Sequence, residues 1–244
     1  MATLSKSGKP SKLPDLLAFD ADVLAERPAI AWLAGIDEVG RGSCMGPVVA
    51  AAVLVPRAMA TAGDKRWASA SELAALDDSK KLAPDCRERL SGILRAQTIW
   101  GVGEASVEEI ARLNIAQASL LAGARALAAA MAAITPSPLA EEVWVLIDGR
   151  MRLPDWPKER QQPVIQGDGR SFAIAAASVI AKQARDAWAI QAACDYPVYG
   201  WERNMGYPTP AHKAALLRYG PTPLHRPTYE PVRRAMAVLP CRLD

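Results

Sequence analysis

Asp37 and Glu38 stand side by side between two apolar runs, 31–36 and 48–55, and are followed almost at once by Gly40-Arg41-Gly42. Two further acids adjoin apolar segments elsewhere: Asp148 after the run 143–147, and Asp168 within Gln166-Gly167-Asp168-Gly169. Taken singly, each acid also suits a turn or a helix cap. Brought together they repel, by roughly 4 kcal/mol for a pair about 4 Å apart at an effective dielectric of 20, and a cation is the natural neutraliser. The histidines are His212 and His225 alone, and Cys44, Cys86, Cys194 and Cys241 form no CxxC pair, so zinc is a poor match. A hard divalent ion, Mg2+ or Mn2+, suits carboxylate oxygens. Such ions serve in-line displacement at phosphorus. Phosphodiester hydrolysis is the inferred reaction, although a phosphatase or a sugar-phosphate enzyme would draw on the same residues.

Gly40 and Gly42 narrow this reading, because glycine lets a backbone approach a ligand closely. Bare N–H and C=O groups can read a 2′-hydroxyl, which is both donor and acceptor, and Arg41 can take a phosphate oxygen. A tight turn between antiparallel strands would use the same residues.

The elements that must position these groups are legible in outline. Segments 31–36 and 48–55 read as buried antiparallel strands, 98–105 as a third, 143–147 as a fourth and 163–166 as a short fifth. Helices are expected over 114–134, where Ala and Leu dominate, over 171–193, and more briefly over 211–219 and 229–238. Segment 57–77 reads as a surface excursion. Residues 1–28 are expected to form a flexible tail, its first thirteen or so rich in Lys, Ser and Pro. A catalytic domain over 29–195 and a helical appendage over 196–244, completing a substrate groove, follow. The predicted fold is α/β: a mixed sheet, antiparallel in its first three strands and parallel thereafter, flanked by helices.

Bulk properties limit the class. A chain of 244 residues, half of them hydrophobic, buries a full core without disulfide staples. A net charge of +3 permits a polyanionic partner without predicting one. No apolar run of membrane-spanning length is free of charge, and the N-terminus lacks the apolar stretch of a signal peptide. A soluble, cytoplasmic protein without membrane contact is expected.

Read in order, GIDEVGRG, Asp78-Ser79-Lys80-Lys81-Leu82, Ile147-Asp148-Gly149, Gly167-Asp168, the stretch 175–182 with Arg185-Asp186, and Met205-Gly206-Tyr207-Pro208-Thr209 resemble bacterial ribonuclease HII, a type 2 ribonuclease H. The resemblance runs over about 33–236, outside the tail and 57–77. It implies an RNase H-like fold and endonucleolytic cleavage of the RNA strand in RNA/DNA hybrids, including nicking 5′ of single ribonucleotides embedded in duplex DNA. Carried over by motif, Asp37, Glu38, Asp148 and Asp168 are the metal-binding carboxylates. Gly40, Arg41 and Gly42 read the 2′-hydroxyl, Tyr207 stacks on the sugar of the following deoxynucleotide, and Ser79, Lys80 and Lys81 lie along the phosphates. Water attacks phosphorus in line with two-metal assistance, leaving a 5′-phosphate and a 3′-hydroxyl, and the enzyme is expected to act as a monomer.

Departures at three positions accompany the resemblance. Gln166 stands where the family commonly has Lys, and Asn204-Met205 where it has His-Lys; Arg170 and Arg203 are the candidate replacements for the lost charge. Asp186, four residues from Lys182, reads as a supporting ion-pair residue, Cys44 and Met45 as buried packing, and 225–229 as a packing segment with some support for substrate. The rival from another class is a non-catalytic binder of RNA/DNA hybrid on the same fold. A nearer rival, ribonuclease HIII, usually carries an N-terminal DNA-binding domain, for which the expected tail is too short.

Overall fold

A computed structural model of the chain describes residues 12–60, 73, 76 and 83–238. Strands β1 (Trp32–Val39), β2 (Val48–Pro56), β3 (Ile99–Ala105), β4 (Val143–Asp148) and β5 (Gln161–Val164) form one sheet in the order β3-β2-β1-β4-β5. β2 runs antiparallel to both β1 and β3, whereas β4 is parallel to β1 and β5 parallel to β4. This is the mixed sheet expected from the sequence. Its central strands are built from small and β-branched residues buried on both faces, as a sheet covered by helices on two sides requires.

In chain order the helices are α1 (Leu13–Ala25), α2 (Arg57–Ala60), α3 (Pro84–Gln97), α4 (Val107–Leu113), α5 (Ile115–Ala132), α6 (Phe172–Asp195), α7 (Trp201–Asn204), α8 (Pro210–Tyr219) and α9 (Glu230–Val238). α5 covers one face, its Ala118, Ala122, Ala126 and Ala130 stripe meeting Ala34, Ile36 and Leu54 in one buried cluster. By length and composition α5 is apolar enough to span a membrane; here that surface is spent on the sheet. α6 covers the other face with α1 and Leu90 and Leu94 of α3. It approaches β1 closely, since a Cβ on Gly35 would lie 2.2 Å from the Ala173 carbonyl carbon. Between α3 and α6, Asp186 pairs with Lys182 at 2.6 Å and Arg87 at 3.0 Å, the supporting role expected of it. A third cluster joins Cys44 and Met45 to Tyr199, Trp201, Leu216 and Val232 of the C-terminal helices.

Two expectations are corrected. The tail to residue 28 is too long, because α1 buries Leu13, Leu16, Val23 and Leu24 at helical spacing and joins the core beneath α6. Segment 57–77 is not wholly a surface excursion: Leu73 and Leu76 are fully buried. Arg57 also reaches back to the carbonyls of Ile30 at 2.6 Å, Leu24 at 3.1 Å and Arg27, a cation placed at a helix C-terminus, where the dipole favours positive charge.

Candidate active site

The register of β1 on β4 sets the first two acids. Ile36 pairs with Ile147, so one step further Asp37 stands level with Asp148 at the ends of parallel strands, which lie about 4.8 Å apart. Side chains alternate along β1. Leu33 and Gly35 face α6, and Asp37 follows them to a hydrogen bond with Ser178 of that helix. Glu38 takes the opposite side, in a crevice it shares with Arg41, Ser119, Asp148, Gly149 and Arg150, where its carboxylate pairs with Arg41 at 3.1 Å.

Asp168 sits in a single 3-10 turn, Gly167–Gly169, between β5 and α6. The Gly167 N–H donates to Asp148 Oδ1 at 2.7 Å, tying this turn to the second acid. Ser171 then caps α6, its hydroxyl accepting from the Ile174 N–H at 3.3 Å. All four acids share one field. Asp37 is 8% exposed, and burial, then the charges of Glu38, Asp148 and Asp168, hold its carboxyl well above the usual range against the opposing Ser178 bond. Among the described residues, no three His, Cys, Asp or Glu side chains converge closely enough to grip one ion. Each carboxylate with a bond just described is turned onto its own donor, Asp37 Oδ1 accepting from the Glu38 N–H at 2.8 Å. The donor set is nonetheless of one kind, carboxylate oxygen, with hard-cation chemistry.

The loop after β1 is held from beneath. Arg226, 0% exposed, donates to the carbonyls of Gly40 at 2.8 Å, Gly46 at 2.9 Å, Pro47 at 3.0 Å and Arg41 at 3.2 Å. The Tyr229 hydroxyl donates to the Arg41 carbonyl at 2.5 Å. Arg185, also buried, donates to Pro47 O at 3.2 Å, Met45 O at 2.8 Å and Ser43 Oγ at 3.1 Å; burial and the neighbouring Arg226 charge bring its guanidinium down to about 10. Gly40, at φ +92°, turns the chain where a side chain would be strained.

Tyr207 lies against this loop, its ring 3.4 Å from where a Cβ on Gly42 would be. At 38% exposure it still offers surface to a ligand. The Cys44 N–H donates to the Gly206 carbonyl at 2.8 Å. Asn204, one of the departures, braces the bend: its amide donates to Tyr199 O at 2.7 Å and its oxygen accepts from the Gly206 N–H at 2.8 Å. Gln166 and Met205, the other two, both hold positive φ, 55° and 50°. Of the expected replacements, Arg170 lies over the Phe19 ring at 4.9 Å, and Arg203, its side chain 83% exposed, passes Glu202 at 3.4 Å.

Asp37, Glu38, Asp148, Asp168, the Gly40–Gly42 loop and Tyr207 therefore come to one end of the sheet, while Ser79, Lys80 and Lys81 lie outside the described residues. Sequence reasoning missed Ser178, Arg185, Arg226 and Tyr229 as supports. It also missed the histidine pair behind Tyr207. His212 Nε2 and His225 Nε2 are 3.2 Å apart, Trp201 Nε1–H donates to His212 Nε2 at 3.2 Å, and His212 Nδ1 meets Tyr207 O at 2.9 Å. Cys44 and Met45 are buried, as expected, and 225–229 packs as expected while doing more.

Comparison with known proteins follows this geometry. A model of the family described as Ribonuclease HII matches residues 34–232. The chain is 49% identical over 218 residues to the Ribonuclease HII of Rhodospirillum rubrum, covering 88% of this chain and 92% of that one. To that of Sphingopyxis alaskensis it is 47% identical over 206 residues, 84% and 92% of the two chains. Among solved structures, Bst-RNase HIII in complex with Mn2+ superposes with a TM-score of 0.66 at 20% identity, over 89% of this chain and 73% of that one. Ribonuclease H2 from Pyrococcus horikoshii OT3 gives 0.61 at 22%, over 87% and 100%. These two likenesses speak for the fold.

Proposed function

The chain belongs to the ribonuclease HII family and is a metal-dependent endonuclease acting on RNA in RNA/DNA hybrids; from that premise we propose how its own residues divide the work. Asp37, Glu38, Asp148 and Asp168 hold Mg2+ or Mn2+. Such ions, when bound, would supply positive charge to the attacking and leaving oxygens of an in-line displacement at phosphorus. The Gly40–Gly42 backbone meets the ribose 2′-hydroxyl, whose donor and acceptor character suits main-chain N–H and C=O groups. Arg41, drawn to Glu38, is within reach of a phosphate at the same crevice. Tyr207 packs against the next sugar, so the scissile bond lies between a loop that recognises RNA and a ring that tolerates DNA.

This reading extends the substrate to single ribonucleotides within duplex DNA, nicked on the 5′ side to leave a 5′-phosphate and a 3′-hydroxyl. Attack by water requires no covalent protein nucleophile. Ser79, Lys80 and Lys81 follow the phosphate backbone in this proposal, and the enzyme acts as a monomer. The unpaired thiols Cys44, Cys86 and Cys194 favour a reducing compartment, the cytoplasm. The observation that carries the reading is the level position of Asp37 and Asp148 on parallel strands, with the Asp168 turn bonded to Asp148. The test incubates the protein with a duplex bearing one ribonucleotide in Mg2+ or Mn2+. Cleavage 5′ of the ribonucleotide supports the proposal; binding without cleavage supports the non-catalytic alternative.

A further inference from the structure

The turn that carries Asp168 is held on one side by Asp148 and on the other by α1, which lies N-terminal to the stretch matched by the family, 34–232. Within the turn, the Arg170 and Ser171 N–H groups both donate to the Gly167 carbonyl, at 3.0 and 2.9 Å. These bonds tie residues 167–171 to the start of α6. The first N–H groups of a helix have no partner within it. Ser171 serves Ile174, and Asp20, from the middle of α1, serves Ala173 at 3.0 Å. Asp20 also faces the Ser171 hydroxyl and the Phe172 N–H. It caps a helix to which it does not belong, at the end where the dipole favours a carboxylate.

Asp20 is 1% exposed and its Oδ1 makes no hydrogen bond. Burial holds its carboxyl up at about 7 despite three opposing bonds. One residue away, the Phe19 ring lies under the Arg170 guanidinium at 4.9 Å. The far end of α1 is fixed in turn, by Arg57 gripping the carbonyls of Leu24 and Arg27.

We propose that α1 is a brace for the catalytic turn: Asp20 is a positioning residue that fixes the start of α6 and thereby the direction of the Asp168 carboxylate, and Phe19 steadies the Arg170 side of the same turn. The inference rests on the reading of Asp168 as a metal ligand. Losing a residue that orients a ligand typically weakens metal binding by about 10- to 100-fold.

The experiment titrates Mn2+ calorimetrically into the full-length protein without substrate, alongside melting temperatures and hybrid-cleavage kinetics. Asp168→Asn first establishes how far loss of that carboxylate weakens Mn2+ binding. Asp20→Ala is expected to weaken it about tenfold, the low end for a ligand-orienting residue, and to lower kcat at limiting Mn2+ while KM for the hybrid stays put. Asp20→Asn, which keeps an acceptor for the Ala173 N–H, is expected to bind Mn2+ like the wild type. Leu24→Ala, a core truncation at the other end of α1, should lower the melting temperature and leave Mn2+ affinity unchanged. If Asp20→Ala fails to fold, Phe19→Ala carries the test with a smaller weakening in the same direction.

Weakening by Asp168→Asn but by neither Asp20→Ala nor Phe19→Ala overturns the brace and leaves the reading of Asp168 intact. Equal weakening by Leu24→Ala also overturns the brace, since general loosening would then explain the effect. Unchanged Mn2+ binding in Asp168→Asn removes the ligand assignment and the brace together.

Discussion

Replacing Arg226 with Lys keeps a positive charge but not the planar fork. In the native protein the guanidinium makes three bonds of 3.0 Å or less, to the carbonyls of Gly40, Gly46 and Pro47, and two longer ones, to Arg41 O and Tyr229 Oη. A single ammonium nitrogen cannot reach carbonyls on both sides of the loop, so about two short bonds go unmade. Each charge-assisted bond contributes about 1.5–3 kcal/mol. The Gly40 and Arg41 carbonyls border exposed backbone and can regain water, which leaves a net loss of about 3 kcal/mol. At about 2–4 °C per kcal/mol for a chain of this size, the melting temperature should fall by about 6–12 °C. Because the freed loop is the one proposed to meet the ribose, kcat/KM on a single-ribonucleotide duplex should fall about tenfold, equivalent to about 1.4 kcal/mol of transition-state stabilisation. The control is Val232→Ala, buried in the cluster of the C-terminal helices and without a side-chain hydrogen bond to the loop. Both are assayed well below either transition. If Val232→Ala matches Arg226→Lys in kcat/KM at comparable loss of stability, or if Arg226→Lys melts like the wild type, the reasoning fails.

Three further outcomes are expected. Asp37→Asn should abolish cleavage while keeping or raising the melting temperature, because it relieves crowding with Glu38, Asp148 and Asp168 and still accepts from the Glu38 N–H; a clear drop would mark Asp37 as structural. Gln166→Lys adds a cation on the exposed turn beside Asp168 and should lower KM at low salt, steepening the dependence of log KM on log salt by about one phosphate contact; an unchanged slope would show that position 166 never meets substrate. The histidine pair gives a pH signature. Burial holds both imidazoles neutral, His225 down to about 3, while the unfolded chain takes up protons at its ordinary 6.5. Stability is therefore full above 6.5 and is lost as pH falls from 6.5 toward about 3. Urea unfolding across that window should show a smaller loss for His225→Gln than for the wild type, and parallel curves would remove His225 from the account.

The buried strands and the two long helices were legible because their apolar residues have nowhere else to go. Run 143–147 and the Ala-rich segment 114–134 announce themselves whatever packs against them. β1 continues to Val39, so the two acids are the strand's last turns of pleat rather than residues beyond it, and alternation then sends them to opposite faces. α3 and α4 escaped because charged residues interrupt their apolar stripes. In α4 the signal was present, Ser106 and Glu109 forming a capping box; in α3 the stripe of Leu90 and Leu94 has meaning only against α6. The acids were found through their local settings, at strand ends and before glycine. Arg185 and Arg226 were not, because a buried arginine looks like any solvated one until the chain brings carbonyls from 40–47 around it. Asp20 escaped for the same reason: its partner lies 153 residues away.

The last fifth of the chain is stitched directly into the loop after β1. Arg226 N–H donates to Cys44 O and Gly46 N–H to Leu224 O, each at 2.8 Å, and Met45 bridges His225. A ribosome delivers the sheet and its acids long before it delivers these partners, at about 5–20 residues per second. A nascent polypeptide stalled short of Arg226 would carry the four acids beside a loop that lacks its buried arginine support. On the proposed reading of that loop, competence to cut would wait for Arg226 to emerge, however early the acids themselves are in place.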